Sequence, residues 1–188
     1  VDGYAEGLDE MSADIQAMCR QHGARDILMA TTNDERAALW RGRKSAFGAM
    51  GRIAPAYYIQ DGVVPRSRLP EVLRYVGDVG KKHGLTIANV LHAGDGNLHP
   101  LVAFDPRQPQ AMQTVRAASA DILKKCVELG GVITGEHGVG IEKQDFMTWF
   151  FSEADMAPMR SLKATFDPHA LLNPGKMFPG ARQALRAA

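Results

Sequence analysis

The sequence has no run of about 18 apolar residues, the length a membrane-crossing helix needs. Its start lacks the basic, then apolar, then small-residue order of a secretory leader. Both absences make the cytoplasm the expected compartment, with peripheral attachment to an inner membrane as the alternative. Cysteine is scarce. Cys19 and Cys126 fall in phase with Met, Ile and Leu on helix-like segments, so two buried free thiols in a reducing compartment are expected rather than a disulfide. Excess charge of one sign is missing too: 22 Lys and Arg against 21 Asp and Glu leave a formal net charge of +1. The basic residues are scattered instead of gathered in a stripe, which argues against a nucleic-acid partner. There is no internal repeat and no initiator Met. Val1-Asp2-Gly3-Tyr4 has the look of the tail of a strand that began earlier, so the chain is expected to start inside a larger protein.

What is present suffices for a core of ordinary size, since 188 residues with 45% hydrophobic composition support one domain, or one domain with an appendage. Leu8, Met11, Ile15 and Met18 recur at three- and four-residue steps, predicting a helix from about Gly7 to Gly23. A strand-length apolar run follows, Asp26 to Ala30. Thr32 and Glu35 have capping-box spacing and predict a helix through Leu39, Trp40 and Phe47 to about Gly51. Tyr57 to Val64 reads as a strand, and Ser67 with Pro70 opens a helix that stops at Gly84. Leu85 to His92 and His99 to Phe104 read as two strands around a Gly-rich turn, followed by a long helix from about Pro109 to Leu129. Val132 to Thr134 reads as a short strand within the turn-rich stretch Gly130 to Lys143. A helix capped by Ser152 and Asp155 comes next, then an irregular tail from Asp167. The hairpin makes the sheet at least partly antiparallel. The expected class is α+β, a largely antiparallel sheet with helices packed on one face.

The densest chemical signal is His92-Ala93-Gly94-Asp95-Gly96-Asn97-Leu98-His99. A hairpin brings the two imidazoles close enough to share one ion, although a His pair at strand ends can also simply cap the turn. A second Gly-rich loop, Gly135-Glu136-His137-Gly138, offers a carboxylate beside an imidazole, and its glycines permit close approaches that other residues forbid. Two His and one carboxylate with open positions suit zinc, manganese or iron. His92, His99 and Glu136 are therefore the candidate ligands and His137 the candidate base. The bland reading of Glu136 and His137 is an ordinary polar loop. Arg41-Gly42-Arg43-Lys44 follows Trp40 on the second helix. Taken alone it is a solvated helix face, but a planar guanidinium grips a carboxylate in two places, and Arg43 is the candidate if the substrate is an acid.

Taken together, the His92 to His99 motif, Thr134 to Gly140 with Glu142 and Lys143, and Leu172-Asn173-Pro174-Gly175-Lys176 resemble the C-terminal region of the FAD-linked oxidases. That family includes glycolate oxidase flavoprotein subunits, D-lactate dehydrogenases and D-2-hydroxyglutarate dehydrogenases. Leu39 to Lys44 and Tyr57 to Asp61 look most like the glycolate oxidase branch. The resemblance implies a cap domain over residues 1–165, ferredoxin-like, with 166–188 as a tail returning to an FAD-binding domain. It also implies FAD in the complete protein, a divalent metal, usually zinc, on His92, His99 and Glu136, a catalytic base at His137, and Arg43 on the substrate carboxylate. Asn173 and Lys176 are implied as cofactor contacts. The implied substrate is a short 2-hydroxy acid, and the implied partners are the FAD-binding domain and other oxidase subunits. Ile59 stands where the hydroxyglutarate branch has a Lys, which argues against a dicarboxylic substrate. The rival readings are a metal-dependent hydrolase and a non-catalytic binding domain.

Overall fold

The strand Asn97–Phe104 (β4) organises the larger part of the molecule, because all eight of its residues are buried. A computed structural model describes residues 4–180. The remaining elements are α1 (Ala5–Gln21), α2 (Asn33–Ala49), β1 (Ala56–Ile59), β2 (Gly62–Val63), α3 (Leu69–His83), β3 (Thr86–His92), α4 (Ala111–Glu128), α5 (Met147–Phe150) and α6 (Glu153–Phe166). The chain divides into two compact units, Val1–Ser45 and Ala46–Ala188. The class is α+β, as expected.

In the second unit, β4 pairs antiparallel with β3 along one side and with β1 and β2 end to end along the other. Side chains alternate across a strand, so β4 divides its residues between two faces. Leu98, Val102 and Phe104 point to the face covered by α3 and α4, whose buried stripes are Val72, Val76 and Val79, and Val115, Ala118, Ile122 and Cys126. Each fully buried aliphatic side chain contributes about 1.5–3 kcal/mol. Leu101 and Ala103 point to the other face and pack against Met50, with Phe47, Tyr57 and Ile59. Helices therefore cover one face of the sheet, while the opposite face is closed by the end of α2 and the turn after it. That second cover corrects the one-sided expectation. Further along this opposite face stand Asn97 and His99.

Local chemistry explains most boundaries. The α2 capping box forms as expected: the Glu35 N–H donates to Thr32 Oγ1 at 3.2 Å and the Thr32 N–H donates to Glu35 Oε2 at 3.1 Å. Ser152 and Asp155 make the same reciprocal pair at α6. Gly84 ends α3 in the left-handed region at φ 65°. The expected 57–64 strand is interrupted at Gln60 and Asp61, which separate β1 from β2. The expected strand at 26–30 is irregular chain, with Leu28 and Met29 exposed and no partner strand among the described residues. The 132–134 strand reduces to a single bridge from Val132 to Val63. Thr134 turns away there to reach a carboxylate. Cys126 is buried as expected, and burial pushes its thiol up to about 12. Cys19 is exposed, because α1 has no buried residue and its apolar stripe is uncovered within its unit. Val1, Asp2 and Gly3, where the tail of an earlier strand was expected, lie outside the described residues. Among the described residues no helix is long and apolar enough to cross a membrane.

Candidate metal centre and active site

The β3–β4 ladder sets the first half of the site. His92 pairs with Asn97 and Val90 with His99, so the two histidines lie diagonally on one face, with ring centroids 5.5 Å apart and edge to face. The turn between them closes through the Asp95 N–H donating to the His92 carbonyl. Gly96 is required there. Its φ is 74°, and a Cβ would stand 2.1 Å from the Val64 carbonyl oxygen, while the Val64 N–H donates to the Gly96 carbonyl.

The second half is the 134–138 loop, which brings Glu136 and His137 over the same face. Glu136 Oε1 lies 2.9 Å from His99 Nε2, 3.9 Å from His92 Nε2 and 3.8 Å from His137 Nε2. The His137 ring stacks on His99 at 5.0 Å, within 7° of parallel. His99 is buried, whereas His92, Glu136 and His137 are exposed. Burial is the largest influence on His99 and lowers its pKa, with the Glu136 carboxylate opposing. The loop comes this close because Gly135 lies on the Asn97 side chain, whose amide atoms are 2.6–2.9 Å from where a Cβ would sit.

The four residues singled out from the sequence are thus brought together. The candidate ligand atoms of His92, His99 and Glu136 lie within 4.8 Å of one another. One zinc ion bound at about 2.0–2.1 Å holds its ligand atoms about 3.0–3.5 Å apart, so this donor set fits a divalent cation with small adjustments. Asp61, His99 and His137 form a second close set. Asp61 is a poor ligand, however, because one of its carboxylate oxygens already accepts from the Thr134 hydroxyl at 2.6 Å and from the N–H groups of Gly135 and His137 at 2.9 Å.

Asp61 is the residue that the sequence reading passed over as a functional position. It is fully buried and forms an ion pair with Lys143 at 3.3 Å. Burial alone raises a carboxyl pKa, but the Thr134 hydroxyl, the His137 N–H and the Lys143 ammonium outweigh it and hold Asp61 well below the usual carboxylate range. Burial in turn lowers the Lys143 pKa, against the pull of Asp61. The available signal was Gln60-Asp61-Gly62 set inside an otherwise apolar strand pattern, a composition that marks a break with a polar duty.

The other candidates fall elsewhere. Arg43 lies on α2 in the first unit and is half-buried. Arg41 and Lys44 are exposed and line an open groove along that helix with Arg36 and Trp40. Lys176 belongs to the second unit, where its ammonium donates to Asn173 Oδ1 at 3.0 Å. The tail is held back against the 138–143 stretch by the Met177 N–H donating to the Gly140 carbonyl at 2.7 Å. Lys176 consequently lines a cleft with His137, Ile59 and Lys143.

Residues 2–177 match the family model described as FAD linked oxidases, C-terminal domain. The chain belongs to this family. As an FAD-linked oxidase C-terminal domain, it is similar to glycolate oxidase subunit GlcD of Escherichia coli strain K12, at 43% identity over 92% of this chain and 36% of that protein. GlcD of Bacillus subtilis is 40% identical over 94% of the chain and 38% of that protein. The mitochondrial D-lactate dehydrogenase [cytochrome] of Kluyveromyces lactis is 30% identical over 91% of the chain and 30% of that protein. The chain thus spans between 30% and 38% of the length of these curated relatives.

Proposed function

We propose that this chain is the substrate- and metal-binding part of an FAD-dependent 2-hydroxy-acid oxidoreductase of the glycolate or D-lactate type. The observation that carries this reading is the convergence of His92, His99 and Glu136 beside an exposed His137 in a member of the FAD-linked oxidase family. His92, His99 and Glu136 hold a divalent cation, zinc before manganese or iron, which when bound supplies Lewis-acid polarisation of a substrate hydroxyl. FAD, held mainly by an FAD-binding part of the protein, supplies the hydride acceptor.

The chain's own residues do the rest. His137 is exposed at the cleft that Lys176 also lines, so its Nε2 can take the proton of the substrate hydroxyl. Stacking on the buried His99 fixes the plane of the base. Arg43, on the first unit, is the residue assigned to the substrate carboxylate, because a planar guanidinium can grip it in two places. Asn173 and Lys176, joined by their hydrogen bond, are the chain's candidate contacts to the cofactor, on a tail that would return toward the FAD-binding part. Ile59, apolar and lining the cleft, favours a short monocarboxylic acid over a dicarboxylic one.

The test begins with metal analysis of the purified chain beside His92→Ala. About one equivalent of zinc or manganese in the first and little in the second, both folded, is the expected result. In the complete flavoprotein, His137→Ala is expected to abolish flavin reduction by glycolate or D-lactate while leaving flavin bound. Loss of flavin with turnover retained per remaining holoenzyme would sink the assignment of His137.

A further inference from the structure

Glu136 and His137 project from a loop without regular structure, yet they meet two histidines that stand on a rigid ladder. Something has to hold that loop in place. Four donors from four consecutive residues converge on one carboxylate oxygen, Asp61 Oδ2. They are Thr134 Oγ1 at 2.6 Å and the N–H groups of Gly135 at 2.9 Å, Glu136 at 3.2 Å and His137 at 2.9 Å. Successive N–H groups that curl around one anion form a nest, and here the anion is a side chain of the protein itself. Lys143 closes the arrangement from the other side: its ammonium donates to the Asp61 carbonyl at 2.8 Å and stands 3.3 Å from Oδ2.

The second carboxylate oxygen, Asp61 Oδ1, lies 4.0 Å from His99 Nδ1, which is buried and has no hydrogen-bond partner among the described residues. A cation needs the Nε2 lone pair of His99, so the ring proton must sit on Nδ1, and a carboxylate on that side favours this tautomer. We infer that Asp61 is the positioning residue of the site. Its buried carboxylate gathers the 134–137 backbone onto one oxygen and backs His99 with the other, so that Glu136, His137 and His99 present to a single point. The part concerning His99 rests on the metal-binding reading above. The gathering of the loop does not.

Asp61→Asn separates charge from shape, because it keeps the size of the side chain and removes the negative charge. It also leaves Lys143 as an unpaired buried cation, which can unfold the protein outright. The double variant Asp61→Asn/Lys143→Met therefore runs beside it, with no buried cation left over. Two readouts are taken on the folded variants: amide hydrogen exchange at residues 135–137, and affinity for Co2+ with its visible absorption spectrum. The inference expects exchange at 135–137 to quicken at least about tenfold while the β3–β4 amides stay protected. Co2+ affinity is expected to fall about 10–100-fold with an altered spectrum, the usual effect of losing a group that orients a ligand. Unchanged exchange at 135–137 in a folded variant overturns the inference. If the wild type binds no Co2+, the metal-binding reading and the backing of His99 fail together, and the exchange readout still decides whether Asp61 gathers the loop.

Discussion

The two loops that build the site are held in opposite ways. The 93–96 turn is fixed by main-chain bonds on either side, through the β3–β4 ladder and the bond from Val64 to Gly96, so its histidines are placed by backbone geometry. The 134–138 loop has a single bridge, Val132 to Val63, at its start, and the N–H groups of Gly135, Glu136 and His137 terminate on one side chain from a distant part of the sequence. Backbone placement depends on spacing and on glycine, whereas side-chain placement depends on one buried charge and its satisfied donors. The first is robust to nearly any change of side chain. The second fails with one atom.

Breaking the backbone-held half is expected to have the largest effect. Gly96→Ala puts a Cβ against a carbonyl oxygen in a left-handed conformation, and neither the Val64 backbone nor the turn can yield cheaply. A loss of about 3 kcal/mol is expected in urea unfolding, with cation binding lost as the hairpin shifts. On the side-chain-held half, Thr134→Val removes the shortest bond to Asp61 and leaves the Gly138 N–H without its acceptor. About 2 kcal/mol is expected from the same measurement. For Gly135→Ala the nearest atoms are those of the Asn97 amide, side chain and not backbone, so a smaller loss of about 1 kcal/mol is expected, with a clear drop in cation affinity by calorimetry. A cost for Gly135→Ala equal to that for Gly96→Ala would erase the contrast between the loops.

The smallest effect serves as a control away from both loops. Asp121 on α4 meets His83 at 2.8 Å and Lys82 at 2.7 Å from α3. Burial pushes its pKa up, but His83 and Lys82 outweigh this and hold it below its ordinary value of 3.8. A carboxyl group lowered on folding stabilises the protein above its unfolded pKa, and that contribution is lost as pH falls through the folded value. Asp121→Asn is therefore expected to lower stability by about 0.5 kcal/mol at pH 7, discounted for solvent screening. The gap from wild type should close as the pH falls below the ordinary carboxyl value of 3.8 in thermal unfolding. A gap that widens on acidification would reverse the sign assigned to Asp121.

How much of this was legible in the sequence follows the same division. The hairpin, both capping boxes, the stop at Gly84 and the nearness of His92 to His99 depend on residues within a few positions of each other, and local spacing reveals them. Glu136 and His137 stood out by residue type and by their glycines. The interruption at Asp61 left only the polar Gln60-Asp61-Gly62 as a signal, and its link to the irregular course at Thr134 was not legible, since each is caused by the other across 73 positions. Alternation alone made Tyr57 to Val64 one strand and Val132 to Thr134 another. The cover on the second sheet face was missed because Phe47 and Met50 carry no sign of which face they will meet.

The separation between Asp61 and the loop it holds also dictates an order of events in time. A hairpin with a four-residue turn forms in microseconds, whereas joining Asp61 to Gly135 closes a span of 74 positions and has to wait for the chain to collapse. His92 and His99 are thus expected to be in place before Glu136 and His137 arrive. Capture of a cation by all three of its ligands is expected to lag behind formation of the sheet, which makes it a clock for the last step of folding.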